Sequence, residues 1–252
     1  MNHSLTRSRF GKSLLILLLS GTIQVVSAAT PNGWWLSLSG AAFSAGTPQD
    51  LDSTWTGQQG TPLHYSPQGA SSTFTGFLGA GYQYGILSEL VSALRLGAQY
   101  QYVAPITVKG NVNDSPVGAY TYQNKVSSNI VWLDAQADIL PFGRFTPYLE
   151  AGIGAALNTF SNYSEAYGSG VTPFPLDETI YGNKSTWQEA YKAGLGLNYQ
   201  LKVKKGNLAI GVFYNYITLG KASSAVASFD GSPRLTENIT GNQYGLALRY
   251  NI

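Results

Sequence analysis

Residues 244–252 read Y-G-L-A-L-R-Y-N-I, and their spacing sets the fold. In an extended strand successive side chains point to opposite faces. Tyr244, Leu246, Leu248, Tyr250 and Ile252 therefore share one face, and Gln243, Gly245, Ala247, Arg249 and Asn251 share the other. The first face is wholly apolar and the second carries an arginine. Such a strand has hydrocarbon on one side and water or polar neighbours on the other.

Seven earlier segments alternate in the same way: about 33–43, 73–84, 92–102, 129–140, 146–158, 187–200 and 207–216. Short links follow the second, fourth and sixth segments. Long links, about 44–72, 103–128, 159–186 and 217–239, follow the first, third, fifth and seventh. Four structureless loops of this length argue against a compact soluble domain. They are ordinary in an eight-stranded barrel that keeps short turns in the periplasm and sends long loops outside. A ten-residue strand tilted by about 45° rises roughly 23 Å, which matches an apolar band of roughly 25 Å. With no water in hydrocarbon to satisfy the backbone, the sheet must close, so the eighth strand must pair with the first.

Residues 1–28 carry a basic stretch (Arg7, Arg9, Lys12), an apolar run (Leu14 to Leu19) and a small-residue site at Val26-Ser27-Ala28, the pattern of a cleaved export signal. The barrel domain is then expected over 29–252. The chain holds 15 Lys+Arg and 13 Asp+Glu; without Arg7, Arg9 and Lys12 the balance is 12 against 13, a net of −1. No basic surface for nucleic acid is implied. There is no cysteine, which excludes a disulfide frame and a thiolate site. Only 11% of residues are charged, against about 25% in ordinary soluble domains.

Outward aromatics gather at both ends of the segments. Trp34, Tyr82, Tyr84, Tyr199 and Tyr250 fall at the periplasmic end. Phe74, Tyr100, Tyr102, Tyr191, Tyr214, Tyr216 and Tyr244 fall at the outer end. Rings with a polar tip favour the membrane–water boundary, so two girdles are expected.

Arg95, Asp134, Asp138, Glu150, Lys192 and Arg249 point inward by alternation. Depth counted from the periplasmic ends places Arg95, Asp138, Glu150 and Arg249 in a lower layer and Asp134 with Lys192 in an upper one. An eight-stranded barrel is only just wide enough for its side chains, so charges of mixed sign imply mutual pairing. A polar plug is the favoured reading; a narrow ion- or proton-conducting lumen is the alternative.

Catalysis has little support. His3 leaves with the signal and His64 stands alone in the first loop, so no expected strand carries a histidine, and there is no G-x-S-x-G. A metal held by His64 with Asp50 or Asp52 is the weaker reading of a lone loop histidine. No cofactor or metal is expected.

The stretch Pro147-Tyr148-Leu149-Glu150-Ala151-Gly152-Ile153-Gly154 resembles the P-Y-x-x-x-G-x-G strand of the OmpA/OmpX-like outer-membrane β-barrel family. The strand–loop pattern extends that resemblance over the mature chain. The ending at Tyr244, Leu246, Leu248, Tyr250 and Ile252 looks like the signal read by the barrel-assembly machinery, with Ile252 where the family favours Phe. No C-terminal peptidoglycan-binding domain is expected, so no cell-wall tether is implied. The resemblance implies an all-β transmembrane barrel in the outer membrane. Its surroundings would be outer-membrane lipid and lipopolysaccharide, with periplasmic chaperones and the assembly machinery as partners in biogenesis. The expected role is structural or surface-interactive: adhesion, host contact or envelope integrity through loops that carry Trp55, Tyr65, Tyr120, Tyr122, Tyr163, Tyr167, Phe174, Tyr181 and Phe229. A small-solute channel is the alternative, and a lipid-modifying enzyme a weaker third.

Overall fold

The computed structural model describes residues 32–48, 51–56, 62–86, 88, 90–114, 118–167, 181–204, 206–225 and 235–252. The expected export signal, Asp50, Phe174 and Phe229 lie outside the described residues. Ten strands follow in order: β1 (Gly33–Ala45), β2 (Leu51–Thr56), β3 (Pro62–Ala70), β4 (Ser72–Gly85), β5 (Val91–Asp114), β6 (Gly118–Ile139), β7 (Phe145–Tyr167), β8 (Lys184–Lys202), β9 (Asn207–Ser223) and β10 (Thr236–Asn251).

Eight of them close into a ring. From β4 to β10 each strand pairs antiparallel with the next, β1 pairs with β4, and β10 returns to β1 from Trp35↔Asn251 to Ala45↔Gly241. The extra pair, β2 and β3, attaches above the bilayer, where β3 runs beside the outer part of β5 from His64↔Asn113 to Ala70↔Val108. Because β3 ends two residues before β4 begins, it continues the barrel wall outward.

The lipid-facing wall follows the predicted alternation. Leu36, Leu38, Leu78, Leu96, Val131, Leu133, Leu149, Ile153, Leu195, Ile210, Val212, Leu246 and Leu248 are all exposed. In water so broad an apolar surface would be an aggregation liability; in hydrocarbon it is the solvated face.

The strands run further than the alternation predicted. Most of 103–128 is strand in β5 and β6, and β7 to β10 also continue past the expected exits. Trp55, Tyr120 and Tyr167, expected in loops, accordingly lie on β2, β6 and β7. Bulges conceal this in the sequence. One extra residue reverses which parity faces inward. In β5, Val103 is buried, the register slips between Val103 and Ile106, and then Ile106, Val108 and Val112 are buried. Pro105 sits in that slip, a place where a missing N–H costs little. In β7 the slip falls at Asn162, with φ of 53°, and in β9 at Gly220, with φ of +71°. Glycine enters that left-handed region without steric cost.

Leu195 faces lipid and lies opposite Leu149 and Tyr214. Leu195→Arg should therefore lower the unfolding free energy of the refolded, lipid-inserted barrel by about 2–4 kcal/mol, measured by reversible denaturant titration. An effect near zero would mean that this face does not meet the bilayer core.

Candidate functional site

Among the described residues, buried charge concentrates in the lumen, and the lumen has two halves. The lower half, within the membrane, is polar. Arg95 of β5 donates from Nε to Gln83 Oε1 at 2.8 Å and from Nη1 to Asp138 Oδ1 of β6. Gln136 donates to the same Asp138 oxygen at 2.8 Å and accepts from Arg249 Nη2 at 2.6 Å. The Arg249 guanidinium also lies 5.6 Å from the Trp35 ring and 5.9 Å from the Tyr148 ring. Such contacts suit a guanidinium whose hydration has been stripped away.

Lys192 of β8 anchors a second cluster. Its Nζ lies 2.8 Å from Asp134 Oδ1 and 2.6 Å from Glu150 Oε1, and it donates to Gln99 Oε1 at 3.0 Å. The register explains the meeting. Asp134, Gly152 and Lys192 are consecutive partners across β6, β7 and β8. With no side chain at Gly152, the two charged chains meet over it. A Cβ there would strike Asp134 Oδ1 and approach Lys192 Cε to 2.8 Å.

All six inward charges thus point into the lumen, though not in the expected layers. Glu150, expected beside Arg95, Asp138 and Arg249, joins Lys192 and Asp134 instead. Tilted strands are staggered around a barrel, so equal counts from strand ends are not equal depths. Three cations face three carboxylates, and the formal charge of the six sums to zero.

The β8–β10 and β1 side is less well satisfied. Asn215 Oδ1, Gln243 and the Nε and Nη1 of Arg249 are buried without hydrogen-bond partners. A cavity of about 20 Å³ lies among Ser37, Gln99, Glu150, Asn215 and Arg249. It has room for one water, which could bridge these polar groups.

Above Trp132 the interior turns apolar, a feature the alternation did not reveal. The Trp132 ring centroid lies 5.2 Å from Lys192 Nζ, and its Nε1 donates to Gln101 Oε1 at 2.7 Å. Phe43, Ile106, Val126, Ile130, Phe160, Ile217 and Leu219 then fill the column. Near the top, Tyr65, Tyr163 and Tyr181 pack together, with the Tyr163 and Tyr181 ring centroids 4.7 Å apart and a Tyr65–Tyr181 hydroxyl contact of 3.2 Å. Burial pushes the Tyr65 and Tyr163 hydroxyls far above their usual range. Tyr65, Tyr122, Tyr163 and Tyr181, expected as loop residues, are core. The signal was present as valines and tyrosines at alternate positions, but the bulges scrambled its phase.

One acid is embedded in that column. Glu237 Oε2 accepts from Asn124 Nδ2 at 3.1 Å, and its Oε1 has no hydrogen-bond partner. Ala45, Ala70, Ile106, Val108, Val126 and Ile239 line the small cavity beside it, with no cation among the lining residues. Desolvation raises its pKa to about 7, against the lowering effect of the Asn124 hydrogen bond.

The expected girdle residues all point outward. Trp34, Tyr84, Phe74, Tyr100, Tyr102, Tyr191, Tyr216 and Tyr244 are exposed; Tyr82, Tyr199, Tyr214 and Tyr250 are half-buried. Trp34 stacks edge-on to Tyr82 at 5.4 Å. Tyr100 donates to Asn129 Oδ1 at 2.6 Å and Tyr214 to Asn242 Oδ1 at 2.7 Å. Trp187, Phe142 and Phe145 are exposed as well and were missed. Each stands at the very edge of a segment, where alternation has too few residues to register. Tyr244, Leu246, Leu248 and Ile252 face the lipid side, and Ile252 N bonds to Trp34 O at 2.9 Å, closing the ring to its last residue. His64, expected in a loop, instead lies on β3, opposite Asp52 in the β2–β3 register. Among the described residues no group of three or more His, Cys, Asp or Glu could hold a metal.

No family model matches the chain. The outer membrane protein PagN of Salmonella typhimurium is 29% identical over 109 residues, 43% of this chain and 41% of PagN. The chain folds as an eight-stranded outer-membrane β-barrel. The match spans less than half the length of either protein. Among solved structures, OprG of Pseudomonas aeruginosa is 17% identical with a TM-score of 0.41, covering 87% of this chain and 96% of that one. Neisserial surface protein A is 13% identical with a TM-score of 0.39, covering 88% and 100%.

Removing one member of the Lys192 cluster leaves buried carboxylates uncompensated. Lys192→Met should cost about 3–5 kcal/mol of barrel stability, and adding Asp134→Asn and Glu150→Gln should recover most of it, by denaturant titration. The acid in the outer column predicts a pH effect of definite sign. A carboxyl whose folded pKa lies above its unfolded value contributes stability in full below the ordinary carboxylate range and loses it as pH rises through about 7. Amide exchange at 122–126 and 235–239, corrected for the intrinsic rate, should be faster at pH 8.5 than at pH 5.5. Glu237→Gln should abolish that difference.

Proposed function

We propose that this barrel is a non-enzymatic surface-interaction protein whose lumen is a structural plug and whose contacts are made by its extracellular part. The single observation that carries this reading is the filling of the interior twice over. A charge-neutral polar network occupies the membrane-spanning half, and a packed apolar column occupies the half above it. An ion-conducting path needs continuous hydrated space, and the apolar column would have to open and fill with water for ions to pass. The column instead serves as the core of an exposed platform. It holds β5–β10 rigid beyond the lipid and presents their outer walls and connecting loops to the surroundings. A site on rigid strands loses less conformational entropy on binding than one on free loops.

The aromatic residues outside the lipid boundary would set the barrel's height, and the C-terminal strand would serve assembly. Neither role includes bond-making chemistry, and no strand of the eight-membered ring carries a histidine to act as a base.

Planar-bilayer recording of purified, refolded protein tests the plug directly: a silent bilayer is expected. Steady conductance that disappears on Arg95→Gln or Arg249→Gln would favour the channel instead. Deleting 168–180 or 226–234 should leave the barrel folded and unchanged in the bilayer, yet lower adhesion of cells displaying it to host-cell monolayers.

A further inference from the structure

Above the outer girdle the wall is not laddered evenly. The β8–β9 ladder stops at Tyr191↔Thr218. The β1–β10 ladder stops at Ala45↔Gly241, with one further bond from Gly46 N to Thr240 O at 2.8 Å. Beyond those points, 219–223 of β9 and 236–238 of β10 pair only with each other among the described residues. The outer β9–β10 hairpin therefore stands between two seams. One faces 184–190 of β8, which pair with β7 instead. The other faces the end of β1 and the β3–β5 wall across a small cavity.

Isolated contacts close the first seam. Asn158 of β7 donates from Nδ2 to Leu219 O at 2.6 Å and to Lys221 O at 3.2 Å. Lys221 N reaches Gln188 Oε1 at 3.4 Å, and Ala225 N bonds to Gly182 O at 2.9 Å. Gly220, with φ of +71°, lies at the base of the hairpin, level with the slip between Asn238 and Thr240. A bulge bends a strand pair locally, so the pivot falls there.

Inside the barrel the hairpin is tied by Glu237, which accepts from Asn124 of β6 at 3.1 Å. Glu237 Oε1 and Asn124 Oδ1 are both buried without a partner. An acid and an amide can share a second hydrogen bond only while the acid keeps its proton. Ionised, the same carboxyl would be a bare charge in an apolar column. No charge from the adjoining strands offsets it. Lys109, Lys125 and Lys221 are exposed on the outer wall, and His64 of β3 alternates with the buried Tyr65. Only burial and the Asn124 hydrogen bond act on the carboxyl, leaving its pKa at about 7.

We propose that the outer β9–β10 hairpin is a hinged flap in the extracellular wall, latched shut by Glu237 on Asn124 and loosened when that carboxyl loses its proton. The flap's inner face carries Leu219, Ala222, Leu235 and Ile239, all buried. That apolar face keeps the closed form predominant while the acid is neutral. Acid thus tightens this part of the wall and neutral pH loosens it, whatever the surface contacts.

The test uses single cysteines in the refolded full chain and a small thiol reagent. The labelling rate of Ala222→Cys, on the inner face, is divided at each pH by that of Asn238→Cys, on the outer face, which cancels the thiol's own titration. With about 7 in the closed form and the ordinary 4.5 once open and hydrated, that ratio should rise roughly thirtyfold from pH 5.5 to 8.5. Glu237→Gln should abolish the rise. Asn158→Ala, which unties the first seam, should raise labelling at both pH values and keep the rise. Heat-dependent gel mobility checks that each variant is folded. A ratio unchanged with pH, or a rise that survives Glu237→Gln, would overturn the proposal. An equal rise at Ile130→Cys would also overturn it, because the whole column and not the hairpin would then be loosening.

Discussion

The bilayer offers the backbone no hydrogen-bond partner, and everything else in this molecule answers to that constraint. An open sheet would leave two rows of N–H and C=O groups in hydrocarbon at several kcal/mol each. The ring formed by β1 and β4–β10 has no such edge, and it closes as far as the pair between Ile252 and Trp34. Once eight strands close, alternate side chains must either meet lipid or fill a narrow cylinder. The outward set is accordingly apolar. The inward set must be packed, and packed differently at different heights.

Two solutions to that filling problem are stacked in one cylinder. In the lower half, long charged chains reach across glycines and neutralise one another, as Lys192 and Asp134 do over Gly152. Pairing there gives little net stability over an apolar filling, but it penalises any rearrangement that separates the partners. In the upper half, where the outside is water, the pattern inverts. The interior is mainly apolar, with a few hydrogen-bonded polar groups such as Ser128 and Asn158, and the wall polar, as in a soluble β-barrel. Trp132 marks the change, with its ring beside Lys192 and its N–H tied to Gln101. The extracellular half thus has a hydrophobic core of its own, which explains how the strands stay paired far beyond the lipid.

The membrane half was legible because period-two alternation holds there apart from one slip between Val91 and Ala93, and the outward residues between its rims are apolar. Strand order, closure and which side chains point inward follow from it. The extracellular half was illegible for one local reason that recurs on several strands. Bulges near Val103–Ile106, at Asn162 and at Gly220 each reverse the inward parity. Anyone following one phase sees the signal vanish and infers loop. Ile106, Val108 and Val112 were overlooked in this way, although they carry the same alternation shifted by one. The pairing of charges was illegible for a different reason. Stagger between tilted strands is a property of the closed ring, so Glu150 could not be assigned to Lys192 before the register was known.

The central claim is that a single wall separates lipid or water outside from a filled interior over the full height of the barrel. Strand β6 tests it best, since its parity is unbroken from Tyr122 to Asp138 and the chain has no cysteine of its own. Single cysteines placed along β6 in protein reconstituted in vesicles, then treated with a bulky membrane-impermeant thiol reagent, report on that wall. The account predicts labelling at Thr121, Gln123 and Lys125, protection by lipid at Val131 and Leu133, and no labelling at any even position from Tyr122 to Gln136. Labelling of the even positions along the strand would show a water-filled lumen and contradict it.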